Sequence, residues 1–150
     1  MKDKGRILFP VDLTESSEKL IPRVVTMVRK FDAELHILFV VRIFQYFSSI
    51  YVPHPSINLF ENELVEGAHK KMDEFVQARF PRMPNLTSEV ILGDPAETIL
   101  EYIESKKMDM VIMGTHGRKG LDRVIFGSVA ERVIKTSPVP VLVINPFREG

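Results

Sequence analysis

Asp109-Met110-Val111-Ile112-Met113-Gly114-Thr115-His116-Gly117 passes from a short apolar run straight into a glycine-rich turn. Nine residues later Gly127-Ser128 opens a segment in which Val129, Val133 and Ile134 recur at helical spacing, closed by Pro138. Val139-Pro140-Val141-Leu142-Val143-Ile144 is a second apolar run. Apolar runs without polar alternation suit strands buried on both faces, as in parallel sheets. Strand, helix and strand in that order form the repeating unit of an α/β sheet.

The same alternation extends back to the N-terminus. Arg6-Ile7-Leu8-Phe9-Pro10-Val11 reads as a first strand, ending at Asp12. Thr14-Glu15-Ser16-Ser17-Glu18 is a cluster of helix-start residues, followed by Leu20, Ile21, Val24, Val25, Val28 and Phe31 at helical spacing. Pro22 interrupts that pattern, so this helix is expected to start late, near Ser17, or to bend there. Glu34-Leu35-His36-Ile37-Leu38-Phe39-Val40-Val41 is the second strand, and the aromatic segment 44–55 reads as an irregular loop. Ile57, Phe60, Leu64, Ala68, Met72, Phe75 and Val76 mark a long amphipathic helix stopped by Pro81. The third strand spans 87–92. Asp94-Pro95-Ala96-Glu97 then opens a helix with Asp94 as N-cap, Pro95 at the first helical position and Glu97 reaching back. Five strands alternating with four helices predict a doubly wound parallel sheet with helices on both faces, all 150 residues forming one domain. Such sheets bind ligands beyond the carboxyl ends of their strands, where the strand order reverses.

Composition narrows the function. The chain weighs 17.2 kDa, enough for a proper core, with a formal net charge of +0. No global field therefore draws it to nucleic acid or to an anionic membrane, and a bound anion needs a local site. The absence of cysteine excludes disulfides, thiolate-ligated zinc and thiol catalysis. The N-terminal apolar run is too short for a signal peptide, and no run approaches a membrane span, so the expected location is the cytoplasm.

The glycines carry the chemistry. Gly114 lies where a buried strand must turn, and Gly127-Ser128 lies at a helix start, where free N–H groups and the positive dipole end favour phosphate. The pattern is neither a P-loop nor a dinucleotide fingerprint, since GxxxxGK[ST] is absent and Val11-Asp12-Leu13 holds no glycine. On physical grounds alone, these glycines serve either an anion-binding loop or merely turns and helix packing.

Gly114-Thr115-His116-Gly117-Arg118-Lys119-Gly120, Gly127-Ser128-Val129-Ala130-Glu131-Arg132-Val133 and Ser137-Pro138-Val139-Pro140-Val141-Leu142-Val143 resemble the universal stress protein family. The opening Ile7-Leu8-Phe9-Pro10-Val11-Asp12 and the Glu34-Leu35-His36 strand resemble it too. The motif G-x2-G-x9-G-[ST] is the form associated with the ATP-binding branch, and it is complete here. The resemblance implies a Rossmann-like five-stranded sheet in the order 3-2-1-4-5. It implies ATP as ligand, with ADP or AMP as alternatives, together with Mg. Asp12 would contact the ribose or a phosphate-bound metal, and Pro10 would shape that strand end. Val40 would offer backbone hydrogen bonds to adenine, Met113 and Gly114 would line base and ribose, and Gly117, Gly127, Ser128 and Val129 would hold phosphates. Phe39 stands where many relatives carry histidine.

Plainer readings stand beside these. Asp12 can instead cap the first helix. His116 reads as a loop residue, since no nucleophile or orienting carboxylate is evident beside it. Arg118, Lys119 and Arg123 either form a solvated face or neutralise a triphosphate. The aromatic segment covers the core edge, or serves as a lid or partner surface. No base, nucleophile or arginine-finger constellation is visible, so the leading reading is a nucleotide-dependent regulatory protein acting in the stress response through an unknown protein partner. A slow ATPase or nucleotidyl transferase, and a dimeric scaffold that binds no nucleotide, are the alternatives. As the last strand, Val139 to Ile144 should lie on a sheet edge, which suits Pro140 and predicts a homodimer paired through it.

Overall fold

The computed structural model describes residues 4–42, 55–115 and 127–148. Five strands, β1 (Arg6–Val11), β2 (Glu34–Arg42), β3 (Leu86–Gly93), β4 (Met110–Gly114) and β5 (Val141–Ile144), form one parallel sheet in the order β3-β2-β1-β4-β5. Among the described residues four helices accompany them: α1 (Glu15–Phe31), α2 (Pro55–Arg79), α3 (Pro95–Ser105) and α4 (Ser128–Thr136). The chain builds outward from β1 to β3, then returns to the other side of β1 for β4 and β5. The order therefore reverses between β1 and β4.

Side-chain alternation along the strands divides the core into two layers. Ile7, Phe9 and Val11 of β1, Leu35 and Ile37 of β2 and Ile112 of β4 pack with α1 and α2. Leu8, Leu38, Val111 and Met113 point the other way, onto Ile99, Tyr102 and Ile103 of α3 and Ala130 and Val133 of α4. The central strands are apolar at nearly every position because both faces are covered.

Several boundaries differ from expectation. Helix α1 begins at Glu15, with Thr14 as N-cap, rather than near Ser17. Pro22 is its eighth residue and is exposed, so the carbonyl that the ring deprives of a partner can face water. Asp109 stands just outside β4. Its Oδ2 accepts from the Arg6 amide at 2.8 Å and its own amide donates to the Arg6 carbonyl, tying the start of β4 to that of β1. Strand β5 begins at Val141 rather than Val139, because Ser137 Oγ bonds both the amide and the carbonyl of Val139, and Pro140 has no N–H to give. Pro55, expected in the aromatic loop, is the first residue of α2, where its fixed φ is suitable. The rest of that loop lies outside the described residues. At Asp94 the expected cap is present: the carboxylate accepts from the Glu97 amide at 3.0 Å, and Arg132 of α4 reaches the same oxygen at 3.3 Å.

A buried polar pair crosses the layer between sheet and α3. His36 Nδ1 lies 2.9 Å from the Tyr102 hydroxyl. Its Nε2 is buried without a hydrogen-bond partner among the described residues, 3.7 Å from Glu34. Burial pushes the His36 pKa below the usual 6.5, and Glu34 only partly opposes this. Burial and the nearby Glu89 push the Tyr102 hydroxyl up to about 12, so it stays protonated. The folded protein thus resists protonation of His36 more than the unfolded chain does. Its share of stability is complete above the unfolded value of 6.5 and is lost as pH falls below it. The His36→Gln variant should therefore lose less melting temperature than wild type between pH 7 and pH 5. Equal losses in a thermal-melt series would contradict this assignment.

Candidate nucleotide site

The reversal of strand order leaves a cleft of about 480 Å³ beyond the carboxyl ends of β1, β2 and β4. Pro10, Val11 and Asp12 form one wall, Leu38 to Arg42 a second, and Met113, Gly114 and Thr115 a third. The starts of α1 and α4 close it, with Ile99 of α3 behind.

Asp12 is aimed by its neighbours. Leu13 turns the chain from β1 into α1 at φ 61°, a left-handed conformation that leucine rarely adopts and that costs about 1–3 kcal/mol. The Asp12 Oδ1 atom accepts from the Thr14 amide at 3.0 Å, from the Ser17 hydroxyl at 2.7 Å and from the Thr14 hydroxyl. The Asp12 amide in turn donates to Ser17 Oγ at 3.0 Å. One carboxylate oxygen is thereby saturated. The other, Oδ2, is buried without a partner among the described residues. A buried carboxylate oxygen without a donor is costly, and a ligand hydroxyl or a cation would relieve it.

The start of α4 offers the opposite chemistry. Gly127 is its N-cap, held by a hydrogen bond from its amide to the Thr115 carbonyl at 2.7 Å, and provides no side-chain cap. The amides of Ser128, Val129 and Ala130 have no acceptor among the described residues, and Ser128 is exposed. The positive end of the helix dipole opens with them onto the cleft. Gly127 has φ −60°, so no backbone strain demands glycine there. Its lack of a side chain keeps the approach to these amides open.

Val40 lies one residue past Phe39, the last position of β2 that pairs with β1, so the β1 side of β2 is open to the cleft there. The structure brings together Pro10, Asp12, Val40, Met113, Gly114, Gly127, Ser128 and Val129 around one cavity. Gly117, His116, Arg118, Lys119 and Arg123 lie outside the described residues. The roles of Thr14 and Ser17 in orienting Asp12 were not read from the sequence, where both served only as helix-start signals. A hydroxyl two and five residues after a strand-terminal aspartate was the available clue.

The model of the universal stress protein family matches residues 4–145. The chain belongs to that family. Universal stress protein MJ0531 of Methanocaldococcus jannaschii is 33% identical over 145 residues, covering 93% of this chain and 81% of its own. Among solved structures, that of MJ0577, a universal stress protein of the same organism, superposes with TM-score 0.81 at 29% identity over 98% of both chains. A more distant universal stress protein, from Arabidopsis thaliana, was solved with AMP bound; its TM-score is 0.63 at 18% identity, over 94% of this chain and 91% of that one. Among the described residues, no helix is long and apolar enough to cross a membrane.

Proposed function

We propose that this universal stress protein binds ATP in the cleft at the strand-order reversal, as a single-domain cytoplasmic regulator whose nucleotide state is read by a protein partner. The observation that carries the reading is the pairing of opposite chemistries on one cavity: Asp12, with its Oδ2 unpartnered among the described residues, on one side and the start of α4, with no side-chain cap, on the other. A nucleotide needs both, an acceptor for ribose hydroxyls and donors for phosphate oxygens. The volume of about 480 Å³ lies within the ordinary range of ligand sites. Met113, Gly114 and Pro10 would flank base and ribose, Val40 would meet the adenine edge with its backbone, and Gly127, Ser128 and Val129 would hold phosphates, joined by Gly117. ATP is preferred to ADP or AMP because the amide row can accommodate a phosphate chain.

Mg fits the same arrangement. Among the described residues, no group of three acidic or histidine side chains could hold a metal alone. Mg commonly takes one carboxylate, with phosphates and water completing its shell. Asp12 would be that carboxylate, and the ion would neutralise phosphate charge.

The protein is expected to bind ATP far better than it turns it over. Cleavage needs a positioned base or water and charge stabilisation, and Asp12 is already committed through Oδ1. Steady-state hydrolysis should stay below about 1 s⁻¹, the low end for dedicated enzymes. Faster turnover that disappears in Asp12→Asn would establish an ATPase instead.

We further propose a homodimer paired through Val139 to Ile144. In β5 the carbonyls of Pro140 and Ile144 point to β4, accepting from Val111 and Thr115. By alternation, Val141 and Val143 turn their N–H and C=O groups outward, to an edge unpaired among the described residues.

A further inference from the structure

Helix α2 is longer than the strand it packs on. Its 25 residues span roughly 37 Å, whereas the eight residues of β3 span about 26 Å. Only residues 80–85 separate the end of α2 from the start of β3, so the two run antiparallel from the amino edge of the sheet. The buried residues of α2 are Ala68, Met72 and Phe75, and none of residues 59–67 is buried. By length and direction, the first two turns of α2 project past the carboxyl end of β3.

This projecting end is apolar and acidic at once. Leu59 is 61% exposed and Phe60 45%. On a helix, residues three, four and seven apart share a face. Leu59 shares one with Glu63 and Glu66, and Phe60 shares the adjoining one with Glu63, half-buried Leu64 and Gly67. Glu63 and Glu66 are exposed, and neither has an ion pair or hydrogen bond among the described residues. Residues 55–67 include Glu61, Glu63 and Glu66 but no Lys, Arg or His; the first lysine of the helix is Lys70. Gly67 is unusual in a helix interior, where glycine costs about 0.5–1 kcal/mol relative to alanine. A β-carbon there would meet nothing within 4 Å, so packing within the chain does not require glycine. It leaves a notch where another backbone can approach closely.

The chemistry selects the occupant. A helix has no open edge for an added strand, but its ridge can cross a second helix at about 8–10 Å, most closely over a glycine. The carboxylates call for a cationic partner. A second copy of the chain is disfavoured, because a two-fold contact would set Glu63 and Glu66 against their own mates.

We propose that the exposed face of Leu59–Gly67 in α2 is a docking surface for a protein partner, which it holds through a basic amphipathic helix. Apolar side chains of that helix cover Leu59, Phe60 and Leu64, its backbone crosses at Gly67, and its cations meet Glu63 and Glu66. The surface lies outside the nucleotide cleft and gives a chemical class to the partner named in the proposed function.

The test uses two designed helical peptides of about five turns, one of leucine and lysine and one of leucine and glutamate, titrated with the full chain by fluorescence anisotropy. The wild type should bind the leucine–lysine peptide with micromolar Kd and the leucine–glutamate peptide at least about tenfold more weakly. The double variant Glu63→Lys, Glu66→Lys should reverse that preference. Gly67→Leu should weaken the leucine–lysine peptide at least about tenfold by filling the notch. Its fold should hold, since a helix former replaces a helix glycine with open space around it. Equal binding of both peptides, or binding of neither, would overturn the inference, as would undiminished binding in Gly67→Leu. A wild-type mass in light scattering that falls in Gly67→Leu would make a second copy the occupant and overturn it too. No nucleotide is present in these titrations, so the ATP reading stands or falls separately.

Discussion

Replacing Gly127 with valine is expected to lower ATP affinity by at least about 100-fold while the protein stays folded, since hydrogen bonds to a charged group contribute about 1.5–3 kcal/mol each and the branched side chain would obstruct more than one. Gly127 is the N-cap of α4, and its position governs access to the amides of Ser128, Val129 and Ala130. The backbone tolerates the change, because φ −60° and ψ 152° form an extended conformation that valine readily adopts. A β-carbon there would meet the Thr115 carbonyl oxygen at 3.4 Å, a close but ordinary contact. Loss of a favourable N-cap should cost about 1 kcal/mol, or roughly 2–4 °C of melting temperature. Calorimetric titration of the variant, with circular dichroism to verify its fold, separates the two effects. Unchanged ATP affinity in a folded Gly127→Val protein would remove α4 from the site.

The second large effect concerns assembly. Light scattering at micromolar concentration should report twice 17.2 kDa for the wild type, and 17.2 kDa for the double variant Val141→Lys, Val143→Lys. Both valines are half-buried on the outer strand, with backbone groups turned to the open edge. Burying a valine contributes about 1.5 kcal/mol, so four across a two-fold interface contribute roughly 6, about four powers of ten in Kd. Lysines facing their own mates would add repulsion, as they do on natural edge strands. Their aliphatic stems can still cover the half-buried positions within each subunit, so ATP binding should survive. A wild-type monomer throughout the micromolar range would refute the β5 interface.

The alternating architecture was legible because the central strands are buried on both faces and therefore apolar at nearly every position, while the helices carry start or stop signals. Asp94-Pro95-Ala96-Glu97 announced a capped helix, and the carboxylate does hold the Glu97 amide. Gly127-Ser128 announced an uncapped one beside a strand-terminal glycine, and the fold places it on the cleft. Boundaries failed where one local interaction outweighed the periodic pattern. Ser137 pulled Val139 out of β5, and Pro22 was accommodated on an exposed helix face rather than delaying the helix. The saturation of one Asp12 oxygen could not be read from residue types, because it depends on the left-handed turn at Leu13 that brings Thr14 and Ser17 around it. The pairing of His36 with Tyr102 was invisible for a simpler reason: the two residues are 66 positions apart and meet only when α3 packs on the sheet.

Asp12, whose Oδ2 is unpartnered among the described residues, and the start of α4 line one cavity, and an adenine nucleotide is expected to join them. Calorimetric titration of nucleotide-stripped wild-type protein with ATP and Mg tests this most directly. The expected result is saturable binding of one ATP per chain, weakened in both Asp12→Asn and Gly127→Val. A folded wild-type protein that takes up no ATP, ADP or AMP at millimolar concentration would contradict the account.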